Sequence, residues 1–430
     1  MSLYGALLTG VSGLDANGRA LTITSSNIAN VNTVGFKTST ADFSTFLAAT
    51  GQADPTSPTS VQVNGAQDLT QQGLLTTTAS PTDLAISGNG FFIVTDNLAN
   101  PATSQFYTRA GSFLPDAAGL LKNAAGLYLE GWTLDSAGNM PANRSTLAPI
   151  NLGTLTGAAQ QTSNVTLKAN FQASATAVGA YNPGDMTSGA VTPQFQQTIN
   201  VYDSQGGTRA FQLSFVKTAA NTWAYEIAYQ GAAADIGGAG NNPVNTGTLT
   251  FNADGTLASP ATAAFNIPWD PSTGLVPQPM TLNFGTVGQS DGVTQFDSSS
   301  VLTSANMDGA PFGALSSVSV DNQGYVTALY DNGIQKKVFK VALATFANAD
   351  GLAPVAGNAY QVTEASGAPT ISEPKTGGAG QINSDALEAS TSDLAQEFSD
   401  LITTQRAYDA ASRIVTTADQ MLQVLVQIKQ

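Results

Sequence analysis

From Ser384 to Gln430 the chain carries neither proline nor glycine. Two apolar series run through this stretch. Ala407, Ala411, Ile414, Ala418, Met421, Leu425 and Ile428 follow alternating steps of four and three, and Leu394, Phe398, Leu401, Tyr408, Val415 and Leu422 trace a second seam. Steps averaging 3.5 residues line up on one stripe of a helix, as in a coiled coil. A helix over 386–428 would be ~65 Å long at ~1.5 Å per residue. Ser384 is the expected N-cap, with Asp385 and Glu388 in a first turn that favours negative charge. A helix with two seams cannot bury both on one neighbour. Within the chain, only residues 2–29 offer a similar stripe, through Leu7, Val11, Leu14, Leu21 and Ile28, with Gly18 and Ser25 filling the remaining slots. The second seam therefore asks for something else, most simply other copies of the chain. The alternative is that both seams pack on the chain's own globular core.

The middle reads as β-structure. Period-two alternation runs through Ile199/Val201, Phe211/Leu213/Phe215, Trp223/Tyr225/Ile227/Tyr229, Val318/Val320 and Val341/Leu343. An Asp-x-x-Gly turn recurs at Asp116–Gly119, Asp135–Gly138, Asp203–Gly206 and Asp321–Gly324, with shorter hairpin candidates at Asn252–Gly255 and Asp331–Gly333. No useful helical period lies between about 75 and 370. Residues 49–60 lack large apolar side chains and 366–383 are rich in Gly, Ser, Pro and Thr, so both read as linkers. Residues 231–247, mostly Gly, Ala and Asn, read as a long surface loop. The expected fold class is α+β and multi-domain. Long terminal helices carry coiled-coil-like seams, and the β-rich part between them is expected to be mainly antiparallel.

Composition decides which chemistry is open. The 430 residues include no Cys and no His, only 10% are charged, and the formal charge is −15. Thiolate nucleophiles, disulfides, Cys/His zinc sites and histidine general bases are excluded. The acidic balance argues against nucleic acid. The repeated Asp-x-x-Gly sits between strand patterns and no phosphate-binding Gly-x-x-x-x-Gly-Lys-Ser/Thr loop accompanies it, so these are turns. Gly88-Asn89-Gly90 precedes a strand instead of opening a helix, which removes a dinucleotide reading. Ser372–Lys375 and Lys375–Gly377 echo acyl-serine transferase motifs, but one lysine would have to serve both. The carboxylates are scattered; a glycosidase pair could be assembled only by folding, and nothing in the pattern supports one. No catalytic residue, metal site or cofactor is expected. No apolar run approaches the ~18 residues of a membrane span. No basic residue precedes Arg19, so no cationic signal-peptide region is visible, and export by another route is expected.

Five stretches carry a resemblance. Asn27-Ile-Ala-Asn30-Val-Asn32-Thr-Val-Gly35-Phe36-Lys37, Asp83–Phe92, Tyr107–Phe113, Gln405-Arg406-Ala-Tyr408 and Asp419–Leu422 resemble, in order, signatures of the bacterial flagellar rod and hook protein family. Ala407 stands where the family often has Asn. Arg406 and Tyr408 read either as a solvated cation beside a core-edge ring or as an intersubunit contact. An added β-rich insertion of roughly 160 residues, in a chain of about three domains' length, resembles the longer hook-type members more than the short rod members. The resemblance implies a self-assembling structural protein of the flagellum, outside the cell, and no enzyme. Its polymer would be a flexible curved tube acting as a universal joint that passes torque from rod to filament. Residues 1–30 and 386–430 would form the inner helical layer, and 31–73 with 371–385 the connecting segments. Residues 74–148 with 310–370 would form a middle β-domain, and 149–309 an outer β-domain inserted into it. Implied partners are other copies of the chain, a distal rod protein, a hook cap protein, a hook-filament junction protein and the flagellar type III export apparatus. A distal rod protein of the same family, or a secreted β-rich adhesin or carbohydrate-binding protein, are the alternatives.

Overall fold

The computed structural model describes residues 3–46 and 60–428. Of the expected 49–60 linker, all but Ser60 lies outside the described residues. The chain divides into two compact units. One comprises Met1–Leu155, Val318–Ala328 and Lys336–Gln430; the other comprises Thr156–Ser317 and Leu329–Gln335. The expected edges of the inserted domain, 149 and 309, thus move to 155/156 and 317/318. The terminal helices belong to the same unit as the first β-domain.

That first unit is built on antiparallel strands around Phe91–Thr95, which pairs with Gln105–Thr108, Tyr128–Thr133 and Leu343–Thr345. All five residues of the central strand are buried. Phe91, Ile93, Tyr107, Trp132 and Tyr360 fill its core, and Phe91 meets Tyr360 edge-on at 5.9 Å between ring centres. Such pairs add about 0.5–1.5 kcal/mol beyond area burial.

In the second unit, Phe195–Tyr202, Thr208–Ala219, Thr222–Tyr229, Asn245–Phe251 and Leu257–Ser259 form one antiparallel sheet in chain order. A second sheet places Asn164–Asn170 beside Gln278–Asn283 and Val293–Thr294, both parallel to it, and Val301–Met307, antiparallel. Phe171 of this second half stacks on Trp223 at 5.0 Å within one core. The alternating aromatics thus point inward. The opposite face of the same strands is covered too: Val216 and Ala224 pack with Met186, and Glu226 is fully buried. Its carboxylate accepts from Tyr181, the Gly184 and Met186 amides, and both the amide and hydroxyl of Thr187. Those five bonds compensate a charge that would otherwise be costly to bury.

The turns follow the sequence closely. In each Asp-x-x-Gly, the glycine amide donates to the aspartate carbonyl and φ lies between +79° and +85°. The aspartate side chain accepts two further amides, as Asp116 does from Ala118 and Leu120. Asn123–Gly126 is an unforeseen member of the set, with Asn123 in the aspartate's place.

Three expectations are corrected. The C-terminal helix spans Leu394–Ile428, not 386–428. Its first amides are capped by Asp393, whose Oδ1 accepts from Ala395 at 2.8 Å. Ser384 instead pairs with Leu84 in one strand ladder, and Ala386–Glu388 pairs with Leu75–Thr77 in another. The connecting segments 31–73 and 371–385 are not plain linkers. Ser39–Phe46 pairs with Ser60–Gln67, Thr370–Ser372 joins Leu343–Thr345, and Gln381–Ser384 is a strand. Within 231–247, two short 3-10 turns form and Ile236 enters the core.

Glu130, on the strand beside Phe91–Thr95, is fully buried. One carboxylate oxygen takes a hydrogen bond from Gln105 at 2.9 Å; the other has no partner. Burial pushes its pKa from 4.5 up to about 6. Between those values the folded chain holds more protons than the unfolded one, so stability falls as pH rises through the window, by about 2 kcal/mol in all. Glu130→Gln should therefore be more stable than the parent at pH 7, with the gap closing towards pH 4. Urea midpoints at both pH values check this, and a pH-independent gap would overturn it.

Candidate functional site

The two terminal helices, Leu3–Ala29 and Leu394–Ile428, pack antiparallel: Gly10 faces Ala411, Ile414 and Val415, Gly18 approaches Tyr408, and Asn27 meets Glu397. A Cβ on Gly10 would stand 2.9 Å from Cγ2 of Val415, so the missing side chain sets how closely the helices approach.

On the C-terminal helix Glu397, Ala411 and Ala418 are buried, and Leu401, Thr404 and Val415 are half-buried. This inward stripe is a composite of the two series read from sequence. It takes Leu401 and Val415 from one and the alanines from the other. The other members are more exposed: Leu394, Phe398 and Met421 are 41–53% exposed, and Ile414, Tyr408 and Leu422, at 49%, 39% and 36%, sit at the rim, where Ile414 and Tyr408 still border Gly10 and Gly18. Ile402 and Val424, not singled out by the pattern, join that outward apolar face. The Leu425 and Ile428 side chains lie outside the described residues.

The N-terminal stripe is also corrected. Gly5, Gly10, Ala16, Ala20, Thr24 and Asn27 are the buried positions of this helix; Leu7, Leu14, Leu21 and Ile28 are half-buried, and Val11 is 49% exposed. Small residues sit on the helix-pair axis because they allow close approach, and the bulky ones line the rim.

Behind the helices lies a polar joint. Asn27 donates to the Ser39 carbonyl and to Glu397, accepts from the Ser39 amide, and its own carbonyl accepts from Ser392. One residue thus ties the end of the first helix to the following hairpin and to the start of the last helix. Asn30 accepts from the Thr33 hydroxyl and donates to the Ser26 carbonyl, closing the helix end. Gly35 sits at φ +67° and donates to the Glu388 carbonyl at 2.7 Å. A side chain there would meet the Arg109 backbone at 2.6 Å. Phe36 is half-buried and its carbonyl accepts from Thr391. Asn32, Gln405 and Arg406 are exposed, and their side chains have no hydrogen-bond or ion-pair partner among the described residues.

The residue that organises this joint is Glu388, which the sequence reading put in a helix's first turn. It is fully buried between Lys37 at 2.5 Å and Arg109 at 3.4 Å, themselves 0% and 2% exposed. The Glu388 Oε1 also accepts from the Gly73 amide at 2.8 Å. Lys37 donates to the Gln71 carbonyl, and Arg109 donates to the Gly88 carbonyl and lies over the Phe91 ring. Burial lowers the pKa of both cations, with Glu388 pulling back in each case. Lys37 and Arg109 stood inside two matched sequence stretches; their common partner carried no local signal.

Nothing in this arrangement resembles a reaction centre. Among the described residues, no group of three or more carboxylates could hold a metal ion, and no helix is long and apolar enough to cross a membrane.

Removing one partner from a buried ion cluster typically costs about 3–5 kcal/mol, because it strands the remaining charge. Glu388→Gln should lose stability on that scale in urea unfolding followed by tryptophan fluorescence. A loss under about 1 kcal/mol would show that the cluster does not hold the joint.

Family models match four stretches of the chain, and full-length relatives cover the whole of it. Residues 7–37 match the flagella basal body rod protein family, and 85–175 the flagellar hook protein FlgE/F/G D1 domain. Residues 167–310 match the flagellar basal body protein FlaE D2 domain, and 383–428 the flagellar basal body rod FlgEFG protein C-terminal family. The flagellar hook protein FlgE of Caulobacter vibrioides is 32% identical, with 100% of each chain covered. That of Rhizobium meliloti is 35% identical, again over 100% of each. The crystal structure of Helicobacter pylori flagellar hook protein FlgE2 aligns with TM-score 0.48 at 15% identity, covering 73% of this chain and 100% of that one.

Proposed function

Since the chain belongs to the flagellar hook protein family, we propose that its outward apolar helix face is the seam by which copies join into a tubular polymer. The chain is a structural subunit of the bacterial flagellar hook and not an enzyme. Relatives that match it end to end are hook proteins, which disfavours both a distal rod protein of the same family and a secreted adhesin or carbohydrate-binding protein.

The observation that carries the seam is the row of Leu394, Phe398, Ile402, Ile414, Met421 and Val424, all between 41% and 54% exposed on one long helix. Leu394, Phe398 and Ile402 follow one another at four-residue steps, and exposed apolar side chains grouped in this way mark an interaction site. Apolar attraction is non-directional, so a seam built from it tolerates small displacements between subunits. A curved rotating tube needs that tolerance, since each row of subunits lengthens and shortens once per turn. The second unit contributes the outer surface. It carries few charges and many Ser, Thr, Asn and Gln side chains, whose hydrogen bonds exchange readily with water. On this reading the tube acts as a flexible universal joint between rod and filament. A distal rod protein, a hook cap protein, a hook-filament junction protein and the type III export apparatus are its partners, and the polymer lies outside the cell.

Phe398→Asp together with Ile414→Asp should leave a folded monomer that no longer assembles. Sedimentation and negative-stain microscopy would report this, with near-ultraviolet circular dichroism as the check on the β-units. Tubes of normal length from the double variant would sink the seam.

A further inference from the structure

The joint holds a second buried carboxylate, and its surroundings differ from those of Glu388. Glu397, in the first turn of the C-terminal helix, is 9% exposed. Its Oε1 accepts from Asn27 Nδ2 at 2.9 Å. It borders a polar hollow of about 750 Å3 whose walls include Asp393, Asp400, Thr24, Thr38 and Thr404. Among the described residues, no cation lines this hollow. The N-terminal helix presents Ala20, Ile23, Thr24 and Asn27 there, the hairpin presents Thr38–Ala41 and Phe43, and Gln71 completes that side. Asp393 is occupied capping its own helix, and Asp400 is held by Gln396. Lys37, one residue from the wall, is engaged by Glu388 and the Gln71 carbonyl.

We propose that Glu397 makes the contact between the two terminal helices an acid-strengthened latch. This rests on the helix pair being the assembly element. Both Nδ2 hydrogens of Asn27 are committed, one to Ser39 and one to Glu397. A neutral carboxyl still offers its carbonyl oxygen to Asn27, so protonation keeps the bond. The same proton removes a desolvated charge and its repulsion with Asp400. Burial, then Asp400, raise the Glu397 pKa, while the Asn27 bond opposes them. A carboxyl held above its ordinary value binds its proton more tightly in the docked state than in the open one. Docking therefore strengthens as pH falls through that window and reaches its weaker, constant level above it. At neutral pH the latch stays under electrostatic tension, which leaves the helices able to open and re-close at this end.

The test uses the full-length chain before assembly and compares amide exchange over residues 20–27 and 394–404 with Glu397→Gln, a neutral stand-in that keeps the acceptor for Asn27. At pH 7.5 the variant should exchange roughly threefold or more slowly than the parent. At pH 4.5 the two should converge. Asp400→Asn, which leaves the Asn27 bond untouched, should produce part of the same slowing at pH 7.5. Faster exchange in Glu397→Gln at pH 7.5, or a ratio that does not change between the two pH values, overturns the latch. If the latch behaves as expected while Phe398→Asp with Ile414→Asp still forms tubes, the seam is wrong and the latch stands.

Discussion

Two cations share one carboxylate in the interior, and the rest of the first unit is arranged around that imbalance. Lys37 follows the first helix, Arg109 belongs to the β-core, and Glu388 precedes the last helix. None is accessible to water, so each would be costly alone. Together they force three distant segments to one point. The Gly73 and Gly35 contacts with Glu388 then become geometric necessities: backbone must approach where the carboxylate sits. The helices run side by side from this end, their close approach set by glycine and alanine, and their larger apolar residues line the rim.

Two buried carboxylates are compensated differently. In the first unit, Glu388 pairs with Lys37 and Arg109. In the second, Glu226 is surrounded by amides and hydroxyls from one short segment, with no cation involved. The former links parts of the chain far apart in sequence, and the latter fastens a surface loop to the strand beneath it.

Elements with local causes were legible in the sequence. Strand alternation at Phe211–Phe215 and Trp223–Tyr229 and the Asp-x-x-Gly turns depend on neighbours in the chain, and they stand where the pattern puts them. The C-terminal helix was legible in its body and misread at its start. Residues 384–393 lack proline and glycine, yet strand pairing with Leu75–Thr77 and Leu84–Ser87 overrides that weak propensity. The composite inward stripe was not legible either, because 3.5-residue periodicity finds apolar rows without telling alanine on the contact axis from leucine on its rim. Glu388 and Glu397 were hidden for a plainer reason: their partners lie 351 and 370 residues away.

That separation has a consequence for the order in which the molecule can be completed. The turns and meanders of the second unit involve short loops and can form as soon as their residues are free. The Lys37–Glu388 contact closes a loop nearly as long as the chain, at a loop-entropy cost that local elements do not face. A chain emerging amino end first therefore has both β-units within reach of their folds while its first helix still lacks a companion. Only Leu394–Ile428 supplies one, so the paired helices come into being after the β-units have been made.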